Sequence, residues 1–346
     1  WRWVFFVTVP FALVAAWVLA RHVHEHVAHR EVRPIDWSGA ALLAAGSTLL
    51  LLSVLKGNER SAVIEAGLIG MAATALVGFL FQERRAADPI LPPDLMMQPT
   101  IAAAIVGNFL IGALLLSIDM FIPLFVQGVR GGDAALAGAT ITPLFVTWSI
   151  SVAIAARIVV RLGFRGTSLL GTAVIAAGVG MLVLGAMRLD LYRPFFLAGM
   201  VMIGLGMGPA ALSFLLSVQN AVPWGRRGVA TGAVAFFRSI GGALGVGMLG
   251  AINSYELARR LAGQTGIDLN AALRPESHHL LTSAQLASVQ SALGSSLRDL
   301  FLVMLGLAIL TMMCGLRLPA GRAVSRVGRT EPRQEPVPTV RPAMEM

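Results

Sequence analysis

Residues 101–130 read IAAAIVGNFLIGALLLSIDMFIPLFVQGVR, and from Ile101 to Gln127 the only charge is Asp119. A bilayer core of about 30 Å is crossed by about 20 helical residues, so this stretch predicts a transmembrane helix over Ile101–Val126. A carboxylate held near the centre of such a helix costs roughly 2.5 kcal/mol or more, which makes Asp119 a functional candidate.

The rest of the chain supports the same solvent. Of 346 residues, 56% are hydrophobic and 13% charged, with a mean hydropathy of +0.75. Soluble domains are less apolar and carry about twice that share of charge. The apolar runs are long and continuous, which predicts helices and excludes the alternating pattern of barrel strands. Nine spans follow: Val4–Ala20, Trp37–Leu55, Ala62–Phe81, Ile101–Val126, Leu136–Ala156, Thr167–Met187, Phe195–Ser217, Val229–Asn253 and Asp299–Leu316. The fold class is an all-α integral membrane protein.

The net charge of +9 is scattered through short loops and forms no continuous basic face, so no nucleic-acid partner is expected. The connections fall into two sets. One, with Arg21, Arg84, Arg85, Arg157, Arg161, Arg165, Arg226, Arg227 and the tail arginines, holds sixteen positive residues; the other holds ten. The positive-inside rule then puts the richer set and the C-terminus in the cytoplasm and Trp1 outside, in an inner, multi-pass cell membrane. The chain opens on Trp1 in an apolar run with no basic segment before it, so the expectation is the C-terminal part of a longer protein.

Several stretches carry candidate chemistry. RHVHEHVAHR places His22, His26 and His29 on one helical face, but the H-E-x-x-H pattern is not met, and a solvated loop is the simpler reading. The metal-dependent enzyme using His22–His29 is kept as an alternative. The prolines in FQERRAADPILPPD stop the third helix and make a stiff connector. GLGMGP lies inside an apolar run, so its glycines serve close helix packing and not a dinucleotide. In the eighth span, Gly241 and Gly245 give a small-xxx-small face beside its only charge, Arg238. Between spans eight and nine, residues 254–297 read as an outer loop in which Leu286, Val289, Leu293 and Leu297 mark a surface helix. The Arg- and Pro-rich residues 317–346 read as a disordered tail.

Three segments together resemble one family, the major facilitator superfamily in its 14-helix drug:proton antiporter branch. WRWVFFVTVP resembles the branch's entry into the sixth helix, with Thr8 where Asn is usual. MFIPLFVQGVRGGDAALAGATITP resembles its Pro-Gln segment through Pro123, Leu124, Gln127, Gly138 and Pro143. RRGVATGAVAFFRSIGGALGVGMLG resembles its Gly-rich segment through Gly228, Ala230, Gly232, Arg238, Gly241, Gly242 and Gly245. ARIVVRLGFR is similar to the C-terminal echo of the family's cytoplasmic motif, with Ala156 and Val160 departing from it.

The resemblance implies that residues 1–20 are the last helix of an N-terminal half. Residues 21–99 then hold two extra helices, and 100–316 a C-terminal six-helix bundle. It implies a proton-coupled exporter of amphiphilic compounds, working by alternating access and inactive as this fragment alone, with no cofactor but the proton motive force. Its partners would be a small amphiphilic substrate, protons, the lipid bilayer and envelope proteins of unspecified kind. The pathway residues implied are Asp119, Asn108, Ser117, Gln127 and Ser213. The structural or gating residues are Arg238, Pro123, Gly241, Gly245, Arg157 and Arg161. No catalytic or metal residue is implied, and export of another metabolite or a siderophore is the main alternative.

Overall fold

The computed structural model describes residues 2–22, 36–55, 61–86, 89–262 and 282–321. It separates into two compact units, Trp1–Ile35 and Asp36–Met346. The first holds α1 (Arg2–His22), whose apolar part is the short stretch Phe6–His22. Pro10 inside it removes one backbone donor and costs the helix a bond.

In the second unit the elements are α2 (Trp37–Leu55), α3 (Ala62–Glu83), the short α4 (Pro93–Met96), α5 (Pro99–Leu124), α6 (Ala134–Met187), α7 (Tyr192–Ala221), α8 (Arg227–Leu261) and α9 (Ser283–Leu316). Seven of the described helices are long and apolar enough to cross a membrane.

One of the seven, α6, crosses twice. Gly163 breaks its helical backbone with φ 71° and ψ 179°. The arm before Gly163 runs alongside α7 in the same direction, since Thr147 meets Val201 and Ser151 meets Gly204 and Gly208. The arm after it runs the opposite way, since Gly171 meets Gly206 while Gly178 meets Gly199. The chain therefore reverses at Gly163, and the expected pair of spans, Leu136–Ala156 and Thr167–Met187, is present. A left-handed φ costs an L side chain roughly 1–2 kcal/mol, which is why glycine occupies the corner. The carbonyl of Gly321 caps the new helix by accepting from the Phe164 N–H at 3.2 Å.

The helices of this bundle touch backbone to backbone. A Cβ on Gly178 would lie 2.9 Å from the Gly199 carbonyl oxygen, and one on Gly171 would lie 2.7 Å from that of Gly206. The same holds between α5 and α8. Gly241 sits against the Phe109 backbone and Gly245 against Ala113, so both sides advance by four residues and the helices are parallel. Gly112 abuts the Arg238 carbonyl from the other side. The glycines expected to serve packing in GLGMGP and in the eighth span do so.

Two expectations at the far end are corrected. The segment 254–297 is not one loop: α8 continues to Leu261 and α9 begins at Ser283. The helix through Val289, Leu293 and Leu297 is the start of the last spanning helix, not a surface helix, and these three side chains are fully buried. Their i, i+4 spacing fits either setting; α8 supplies the cover, with Leu257 buried and Asn253 accepting the Ser296 hydroxyl at 2.8 Å. The segment 317–346 is also still packed at its start, where Leu318 is buried and Gly321 caps α6.

The α2–α3 pair packs on itself through Gly46 and Leu76 and on α8 through Val54 and Gly247. A small cluster of Phe79, Leu91 and Ala233, with Phe237, joins α3, the connector and α8.

Candidate functional site

Helix α5 starts at Pro99, whose missing N–H is harmless in the first turn. With the π turn Phe125–Val129 it forms one apolar stretch, Pro99–Val129, of 31 residues. Asp119 is five residues past the middle of that stretch, about 7 Å along the axis at 1.5 Å per residue. A hydrocarbon core reaching about 15 Å either side of the middle contains it.

Asp119 is exposed, as are Leu116 and Met120 beside it, and makes no hydrogen bond or ion pair among the described residues. Pro123 adds to this polar spot. Its ring nitrogen carries no hydrogen for the Asp119 carbonyl, the partner a regular helix would supply. The π turn follows at once, a helix form often found at functional sites. Beyond it, Gly131 turns with φ 64° and Asp133 caps α6 by accepting from Leu136 N–H at 2.7 Å.

The other expected pathway residues lie elsewhere. Asn108 is buried and donates to the Ala104 carbonyl at 2.9 Å. Ser213 is buried and donates to the carbonyls of Pro209 at 2.7 Å and Ala210 at 3.0 Å. Ser117 is buried with no partner for its hydroxyl. These three are buried inside the bundle, whereas Asp119 is exposed. Gln127 is half-buried in the π turn.

Among the structural candidates, Gly241 and Gly245 form the α5–α8 contact and Pro123 marks the end of regular α-helix. Arg238 is half-buried, without a hydrogen bond or ion pair among the described residues. Its backbone stands level with Gly112, seven residues before Asp119, so roughly 10 Å of axial distance separates the two charges. Arg157 and Arg161 are exposed on the arm of α6 that leads to Gly163. No group of metal-ligating side chains forms among the described residues; His24, His26 and His29 lie outside them.

Sequence reasoning passed over one group at the other end of the molecule. Glu83, in the charged run FQERR, is not singled out by the sequence, yet it is buried and accepts the N–H groups of Ile90 and Leu91 at 3.0 and 3.2 Å. The signal was the proline-bounded connector, whose backbone donors have no helix to serve.

Among the described residues, long apolar helices packed at glycines, with a carboxylate unpaired within one of them, define a multi-pass membrane protein. A model described as Major Facilitator Superfamily matches residues 1–246, and the chain is a member of that superfamily. It is therefore a transporter chain and not an enzyme. It is 31% identical to the Multidrug transporter protein MdtP of Bacillus subtilis, over 73% of this chain and 47% of that protein. It is 30% identical to the MFS-type transporter Rv1877 of Mycobacterium tuberculosis, over 92% of this chain and 47% of that protein. The chain thus spans about half the length of the curated relatives it matches. Among solved structures, a bacterial homolog of the human lysosomal transporter Spinster superposes with a TM-score of 0.51 at 13% identity. That match covers 80% of this chain and 64% of the other, and it bears on the fold.

Proposed function

We propose that the chain is part of a proton-coupled exporter of amphiphilic drugs or toxic compounds, with Asp119 as the group that exchanges a proton or meets a cationic substrate. The observation that carries this reading is the exposed, unpartnered Asp119 at membrane depth. A carboxylate turned to lipid is costly, so the face of α5 that bears Asp119 meets water or another part of the protein. Relatives named for multidrug transport or resistance support the substrate class.

In this reading α1 closes the N-terminal half, α2 and α3 are the extra pair, and α5 to α9 form the C-terminal bundle, which rocks against the other half around a midplane site. The end bearing Arg84, Arg85, Arg157, Arg161, Arg165 and Arg317 is cytoplasmic and the membrane is the inner one. Partners are the bilayer, protons and a small amphiphilic substrate.

The test is transport by the full-length protein in proteoliposomes with a fluorescent lipophilic cation. Asp119→Asn removes proton-driven accumulation while the purified variant keeps its melting temperature. Undiminished coupling in Asp119→Asn takes the role away from that residue.

A further inference from the structure

We propose that Glu83 is a proton-binding site: its Oε2 carries a proton at the membrane face where α3 meets the connector to α5. Glu83 is the last residue of α3 and 2% exposed. Its Oε1 accepts from Ile90 and Leu91 N–H, at 3.0 and 3.2 Å, while Oε2 is buried with no partner among the described residues. An acidic neighbour is Asp36, at the start of α2, tied to α3 by the amide of Gln82 at 3.1 Å. Asp36 Oδ1 also accepts the Ser38 hydroxyl at 2.7 Å and Gly39 N–H at 2.9 Å, and its Oδ2 is likewise buried and unpartnered.

Two ionised carboxylates here would repel and leave two bare oxygens away from water. The donors to Asp36 Oδ1 favour its charged form. The remaining group able to take up a proton is Glu83. In the protonated state an O–H bond is formed at Oε2, using a proton from the adjoining water, and the side chain goes from −1 to neutral. Oε1 stays free to hold the connector.

No described cation replaces that proton. Arg84 and Arg85, on the same turn of chain, are exposed. On the connector, Asp94 is paired with Arg226 at 2.8 Å. On α8, Arg227 lies over the Trp224 ring at 4.8 Å. None bonds to Glu83. The site stands apart from Asp119 and is independent of the role proposed for that residue.

Infrared spectroscopy of the full-length protein in lipid nanodiscs tests it. At neutral pH the wild type shows the C=O band of a neutral carboxyl group that is lost in Glu83→Gln and kept in Asp119→Asn. Because glutamine copies the neutral acid, Glu83→Gln melts within about 2 °C of the wild type, while Glu83→Ala falls by about 5 °C or more. An unchanged band in Glu83→Gln overturns the proposal. So does a Glu83→Gln as unstable as Glu83→Ala, which means the ionised form is needed. A wild-type melting temperature that rises with sodium or potassium, and ceases to in Glu83→Gln, overturns it in favour of a bound metal cation. If Glu83→Ala does not fold, the spectrum of Glu83→Gln decides alone.

Discussion

The six-pass bundle and the α2–α3 pair are held in different ways. The buried share of the spanning residues is 61% in Pro99–Val129 and in α7, 50% in α6, 33% in α9 and 22% in α8, against 17% in α2 and 11% in α3. The bundle is fixed by backbones in contact at glycines, where no side chain can rotate away. The pair is fixed by a few side chains: Val54 on Gly247, Leu76 on Gly46, Phe79 in a small cluster, and the polar groups Asp36, Gln82 and Glu83. Apolar surface gains little from leaving lipid for protein, so close fit and hydrogen bonds decide what stays together. The bundle therefore resists added volume, whereas the pair resists loss of particular polar contacts.

The largest effect is expected from Gly112→Leu or Gly241→Leu. Each added side chain meets backbone, of Arg238 or Phe109, with no rotamer to relieve it. A loss of about 3 kcal/mol, at the upper end for overpacking, should abolish a monodisperse peak in detergent chromatography. Gly180→Leu, at a glycine with open space around it, should leave the peak unchanged. Next comes Gly163→Ala. Its left-handed φ and the Gly321 carbonyl, 2.8 Å from a Cβ there, should cost about 1–2 kcal/mol and lower the melting temperature. Gly247→Val should cost about 1 kcal/mol, because its Cβ meets only the Val54 side chain, which can shift.

The smallest effect belongs to the cap of α2. The Ser38 hydroxyl and then the Gly39 N–H hold the Asp36 carboxyl below its ordinary value of 3.8, against the opposing effect of burial. Its contribution is thus complete above that ordinary value and is lost as pH falls through the lowered one. Asp36→Ala should speed hydrogen exchange at the Gly39 amide near neutral pH, and the difference from wild type should vanish in strong acid. Persistence of the difference at low pH would show that the carboxylate is not the cap.

Much of the fold is legible in the sequence because lipid imposes long apolar runs. The spans from Trp37 to Met187 need shifts of a few residues only, and Gly241 and Gly245 reveal a close helix contact by spacing alone. The extent of α8 and α9 is not legible. Residues beyond the bilayer carry soluble-helix composition, so Ser254–Leu261 reads as loop and the stretch through Leu286–Leu297 as a surface helix, although both continue the spans. The site divides in the same way. Asp119 stands out by its cost in an apolar run. Asn108, Ser117 and Ser213 look equivalent to it in sequence, yet helix rotation turns them inward, and a polar residue that satisfies itself on its own backbone leaves no trace of facing. Glu83 is hidden for the opposite reason, since its neighbours Arg84 and Arg85 are exposed and it is not.

The account rests on proton-driven export by the full-length protein, and the most direct measurement imposes a proton gradient across proteoliposomes and follows a fluorescent lipophilic cation. The prediction is uptake against its own gradient that collapses with a protonophore, with proton release from the lumen in step. Uptake indifferent to the gradient and the protonophore, or none for any lipophilic compound, would contradict it.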